Sequence, residues 1–275
     1  MKKFLTIMLA VVLALSVFTA CGEKKGEDKA ADYAKSVDNA YIVAEAGSAG
    51  EDLAKNNEFF KNAKFTPVDS MAKALMEVAA GTAQVAIVDY VTSIGSIGEG
   101  TDYENLVVVE GKDFSPEEYG VAFRKGSDLV PVVNDAIAAL MADGTMDKIG
   151  KDYKLDQLLI KDGKAQNDDV VEGDLAYVIE KGKLTIGITY FAPMNYMENN
   201  ELVGFETEFA KAVCEKIGVE AEFVKIEWSS KELELNAKNI DCIWNGMTIT
   251  PERLETMSIT VPYMQNKQVM VKKAK

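Results

Sequence analysis

LTIGITYFAPMNYMENNELVGFETEFAKAVCEKIG, residues 184–218, changes its hydrophobic period once, and that change decides the fold. Leu184 to Ile188 is a short apolar run bounded by Gly182 and by the cluster Tyr190, Phe191 and Pro193, the pattern of a buried strand. Phe205, Phe209, Val213 and Ile217 then recur at every fourth position, which predicts a helix, and Gly218 stands where a helix C-terminus favours it. Further on, Ala221 to Ile226 and Ile240 to Trp244 read as strands. Thr250, Pro251 and Glu252 read as the cap, first-turn proline and acidic start of another helix. The order is strand, helix, strand, strand, helix.

Upstream, the pattern repeats. Tyr41 to Glu45 reads as a strand, GSAGE as a turn, a helix starts near Glu51, another covers Met71 to Val78, and Val85 to Val88 is a buried strand. Strands interleaved with helices predict an α/β protein with mixed, largely parallel sheets. In such open sheets ligands bind beyond the carboxyl ends of the strands. The unusual side chains gather at those ends: Tyr190 and Phe191, Trp228, Asn245 to Thr248, Gly47 to Gly50, and Asp89. Any one of them alone reads as a turn, a cap or core; their joint placement predicts a shared cleft.

At 275 residues the chain has room for two modest cores. Apolar residues make up 48% and charged residues 27%, which argues against disorder and against several membrane spans. Residues 1–20 read as an export leader: Lys2 and Lys3, then Phe4 to Phe18 with only Thr6 and Ser16 polar, then Thr19 and Ala20 before Cys21. Residues 21–38 read as a tether that begins with the charged run GEKKGEDKA. Loss of Lys2 and Lys3 would take the net charge from -14 to -16, which disfavours nucleic acid as a partner. There is no histidine, so His-dependent triads and His-based metal sites are excluded, and no cofactor or metal is expected. Cys214 and Cys242 read as small buried hydrophobes, with a disulfide left open.

The quoted stretch, followed by EWSSKELELNAKNIDCIWNGMTITPERLETMSITVPY (227–263), resembles the first lobe of the polar amino-acid family of extracellular solute-binding proteins. AYIVAEAGSAGED (40–52) and ALMEVAAGTAQVAIVDY (74–90) resemble the second lobe. EEYGVAFRKGSDLVPVVNDAIAALMADGTMDKIGKDY (117–153) resembles the return strand and C-terminal helices. The resemblance implies a two-lobed periplasmic binding protein type II fold. Its blocks stand in the opposite order from the family's, as in a circular permutation. On that reading 39–118 is the second lobe, 119–160 the hinge strand and helices, 161–175 the permutation linker, and 176–275 the first lobe. One covalent crossing, near Tyr119 to Phe123, stays intact, and the chain ends near the other. Phe18 to Cys21 resembles a lipobox with Phe where Leu is usual, which implies acylation of Cys21 and a lipid-anchored, extracytoplasmic protein.

By the same resemblance Arg253 clamps an α-carboxylate, Thr248 adds its N–H and hydroxyl, and Ser48 and Ala49 offer backbone donors across the cleft. Gly246 and Asp89 take the α-ammonium, and Phe191 and Trp228 sandwich the ligand side chain. Ile188 stands where glutamine-specific relatives place an acid, which weakens a glutamine assignment. Asn245, Tyr190 and Tyr90 are further candidate polar contacts. The implied function is the substrate-binding component of an amino-acid ABC importer: a monomer without catalytic residues whose partners are a free amino acid, the permease and, through Cys21, the membrane. Two other classes are kept beside it: an arogenate-dehydratase-like enzyme, with Glu45 or Glu227 as its acid, and a ligand-sensing module.

Overall fold

The computed structural model describes residues 32–165, 170–171 and 173–274, so the expected leader, Cys21 and most of the tether lie outside the described residues. In chain order the elements of the first half are β1 (Tyr41–Glu45), α1 (Ala49–Asn56), β2 (Lys64–Val68), α2 (Met71–Ala80), β3 (Val85–Asp89), α3 (Tyr90–Ser96) and β4 (Leu106–Val108). Then come β5 (Pro116–Arg124), α4 (Leu129–Ala142), α5 (Thr145–Asp152) and α6 (Asp174–Lys181). The remainder holds β6 (Lys183–Ile188), β7 (Tyr196–Glu198), β8 (Glu201–Val203), α7 (Phe205–Ile217), β9 (Glu220–Lys225) and α8 (Lys231–Asn236). It closes with β10 (Cys242–Thr248), α9 (Pro251–Thr256), β11 (Met257–Ile259) and β12 (Met264–Lys273).

The main sheet runs β2-β1-β3-β12-β5-β10-β6-β9, with β4 on β12 and β11 on β5. Its two flanks are parallel triplets, β2-β1-β3 and β10-β6-β9. Between them β12 and β5 pair antiparallel with each other and with their neighbours, so the protein is α/β with a mixed sheet. The central strands β3 and β10 are buried along their whole length, which is why they read as apolar runs. β2 and β9 stand at the edges and alternate or half-expose, and Pro67 is tolerated in β2 because an edge leaves one side of the strand unpaired.

β12 bears on how the halves are joined. Residues 264–267 pair with β5, and residues 268–271 pair with β3, so one ten-residue strand is stitched into both halves. Two strands, β5 and β12, therefore lie side by side at the seam. Main-chain pairing supplies a connection there that covalent order alone does not reveal.

Local chemistry explains the helix ends. Gly218 closes α7 in a left-handed conformation at φ 86, and Thr250 caps α9 by accepting from the Arg253 N–H at 3.3 Å. α6 starts inside the stretch expected to be linker. Asp128 accepts from the Gly173 and Leu175 N–H groups at 2.8 and 2.7 Å, while Arg124 pairs with Asp174 at 2.9 Å. α8 escapes the periodic reading because its six-residue sequence, KELELN, is short and half charged; Lys231 and Leu235 are its buried positions. Cys214 and Cys242 are both buried and free.

Candidate functional site

β1, β3 and β10 all end at the seam, so residues from both halves meet there. The Gly47 carbonyl, just beyond β1, accepts from the Lys231 ammonium at 2.9 Å and from Arg253 Nη2 at 3.4 Å. Gly95 in α3 packs so closely on Pro193 that a Cβ there would come within 2.6 Å of the ring. The halves are closed on one another. A cleft of ≈ 830 Å3 opens beside this contact, lined by Gly47, Ala49, Glu117, Lys231, Thr248 and Arg253 among others.

Arg253 lies in the first turn of α9 and is 8% exposed, with Nη1 donating to the Thr248 carbonyl at 2.7 Å. Burial lowers its pKa, while the Asp52, Glu117 and Asp89 carboxylates act in the opposite sense. Asp89 ends β3. Its side chain does not cap α3 but turns to Tyr119, whose hydroxyl donates at 2.6 Å, and to the Gln268 amide. Burial raises the Asp89 pKa against those hydrogen bonds and the charge of Arg253.

Glu117, which sequence reasoning missed, completes this network. It accepts from Gln268 and Asn266, each at 3.0 Å, and from the Thr248 hydroxyl at 3.2 Å. Burial and the neighbouring Asp89 push its pKa up to about 7. Glu45, at the end of β1, is pushed up to about 8 by burial and by Asp89. Lys231 is pulled down to about 8 by burial and by Arg253. Glu45 was singled out in the sequence only as the acid of the enzyme alternative, and nothing local marks Glu117 or Lys231, since each sits in a stretch that also suits a solvated surface.

The other expected positions divide in two. Gly246 sits at φ +57 where β10 shifts register against β5, and a Cβ there would lie 2.9 Å from Phe191 Cζ, so only glycine fits. Its N–H donates to Glu206 Oε1 at 2.8 Å. Phe191 and Trp228 are buried, and Lys231 Nζ stands 4.8 Å over the Trp228 ring. The Ser48 hydroxyl caps α1 through the Glu51 N–H, while Ala49 lines the cleft. Asn245 spends its amide on Thr189: Oδ1 accepts from Thr189 N and Oγ1 at 2.8 and 2.7 Å, and Nδ2 donates back to Thr189 O at 2.9 Å. It clasps β10 to the loop after β6. Tyr190 is exposed beneath Lys225, and Tyr90 is half-buried beneath Lys267. Asp89, Phe191, Trp228 and Gly246 do not line the open cleft; they lie in the closed seam behind it. Among the described residues no group of three or more His, Cys, Asp or Glu is placed to hold a metal ion.

The raised carboxyls predict a pH dependence. Glu45, Glu117 and Glu206 titrate at about 8, 7 and 7 in the folded protein against a reference of 4.5. The folded state therefore holds protons that the unfolded chain releases, and stability falls as pH rises from about 4.5 to 8. Lys231 works the other way, adding stability between about 8 and 10.5. Urea midpoints are expected to decrease from pH 5 to pH 8; an increase over that range contradicts the assignment.

Residues 184–275 match the family model of bacterial extracellular solute-binding proteins, family 3. ABC transporter arginine-binding protein 1 of Escherichia coli is 35% identical over 98 residues, 36% of this chain and 40% of that protein. The L-cystine-binding protein TcyJ of the same species is 34% identical over 105 residues, 37% of this chain and 40% of that protein. The chain thus spans about two fifths of the length of these curated relatives. Among solved structures, the arginine-bound form of domain 1 from TmArgBP is 28% identical, with a TM-score of 0.31 over 35% of this chain and 84% of that one.

Proposed function

We propose that this chain, which carries in residues 184–275 a segment of the bacterial extracellular solute-binding proteins of family 3, captures a free amino acid between its two halves and delivers it to an ABC permease. One observation carries the reading: Arg253 of α9 and Asp89 of β3 are both buried, come from opposite halves, and belong to one charge cluster beside the cleft. A guanidinium suits a carboxylate and a buried aspartate suits an ammonium, so the pair recognises the two ends of a zwitterion. At the low effective dielectric of a closed seam each interaction is stronger than in water. Hinge motion about β5 and β12 would admit the solute, and closure rather than chemistry would be the event that the permease reads.

The wider reading goes with it. The protein is anchored outside the cytoplasm through an acylated Cys21, checked by loss of membrane retention in Cys21→Ser. Its two blocks stand in permuted order, so a chain with the blocks exchanged is expected to bind the same solute.

Binding is tested by thermal shift of the full chain against the common amino acids and cystine. A ligand at 100 times its dissociation constant stabilises the folded state by about 2.7 kcal/mol. A clear rise in melting temperature with one solute is expected; no response to any α-amino acid defeats the proposal. A second reading, a lyase acting on arogenate-like acids, has one observation in its favour: burial keeps the Glu45 carboxyl protonated near neutral pH, as a general acid requires. Product release from such an acid by the purified chain would favour that reading instead.

A further inference from the structure

Glu45 differs from the other buried carboxylates at the seam. Asp89, Glu117 and Glu206 each accept hydrogen bonds from several donors, whereas Glu45 is 3% exposed and its Oε1 has no partner among the described residues. Its charged neighbours come from both halves: Asp89 from β3, Lys231 from α8, and Glu227 just before that helix. It therefore lies buried at the seam between the halves, behind the residues that line the open cleft. Lys231 does not satisfy it: that ammonium donates to the Gly47 and Trp228 carbonyls and makes no hydrogen bond to Glu45 Oε1.

A buried carboxyl without a partner is costly and is kept where something outside the chain supplies the donor. The charge balance points the same way. At the seam the buried Glu45 and Asp89 and the half-buried Glu117 lie near two cations, Arg253 and Lys231, while Glu51 is already paired with Lys55 at 2.8 Å and Glu206 with its own three donors. A neutral zwitterion leaves Glu45 protonated and without a partner; a solute with a second positive group would displace that proton and pair with the carboxylate.

We propose that Glu45 receives an ammonium or guanidinium on the solute's side chain, so that the cleft selects basic amino acids. This rests on the amino-acid reading above and narrows it. The carboxylate then sets specificity at a strand end in the first half, across the seam from Arg253, and gains in the complex the partner it lacks in the free protein.

Calorimetric titration of the full chain with arginine against citrulline, and lysine against norleucine, tests the idea, since each pair differs chiefly in one charge. At least one basic member is expected to bind roughly 10- to 100-fold more tightly than its neutral counterpart. Which pair shows the gap tells guanidinium from ammonium. Glu45→Gln is expected to bring that ratio close to one. Neutral members binding as tightly as basic ones, or a ratio that survives Glu45→Gln, would overturn the proposal while leaving amino-acid binding intact. Failure of every free amino acid to bind would overturn both. The ratio in the unaltered chain stands even if the variant does not fold.

Discussion

Arg253→Ala is expected to weaken solute binding by about 2–5 kcal/mol, roughly 30- to several-thousand-fold in Kd, the cost of truncating one partner of a buried charge pair. The size follows from position. The guanidinium is 8% exposed, so the solute carboxylate it meets is stripped of water on closure and finds no substitute once the donor is removed. Arg253→Lys keeps the charge but loses the planar fork, so it is expected to recover only part of the affinity. Calorimetry gives the affinities. Urea unfolding of the same variants separates binding from folding, because Arg253 Nη1 also holds the Thr248 carbonyl at 2.7 Å and its loss carries a structural cost. Affinity unchanged in Arg253→Ala would remove the carboxylate clamp from the mechanism.

Glu206→Ala is expected to lower stability by about 3–4 kcal/mol, near the upper end for a single substitution. Glu206 lies in the first turn of α7, is fully buried, and binds three donors from three places. Oε1 takes the Gly246 N–H at 2.8 Å and the Tyr263 hydroxyl, and Oε2 takes the Asn195 amide at 2.8 Å. Alanine leaves all of them buried without an acceptor, each at a cost of about 1–3 kcal/mol less whatever water recovers. Glu206→Gln keeps one acceptor for Gly246 and Tyr263 and is expected to cost less than half as much. A urea midpoint in Glu206→Ala within error of the parent would show that the bulge at Gly246 holds without it. Loss of Glu206 is also expected to flatten the fall in stability between pH 4.5 and 8, because burial pushes its pKa up to about 7.

Much of this was legible in the residues because it is local. The period of Phe205, Phe209, Val213 and Ile217, the stop at Gly218 and the cap at Thr250 depend on a few neighbours, and each element forms where its pattern indicates. Runs such as VAIVD read as buried strands because a central strand covered on both faces has no polar side to display. The carboxyl-end rule also brought Asp89 and Thr248 into one region from sequence alone, since it needs only element order, whereas Arg253 entered through the family resemblance.

Other features were decided by the tertiary structure. β10 extends to Thr248 instead of ending at Trp244, because pairing with β5 resumes at Met247 beyond the shift at Gly246. β12 serves both halves, a property of its two partners and not of its own residues. Asn245 proved to be engaged with Thr189, 56 positions away, and Glu117 with Gln268, 151 away. Alternation and caps are written into a few consecutive residues, whereas burial, charge clustering and the unpartnered carboxyl of Glu45 arise only when strands distant in sequence are brought together. No local pattern distinguishes a glutamate destined for that seam from one destined for water.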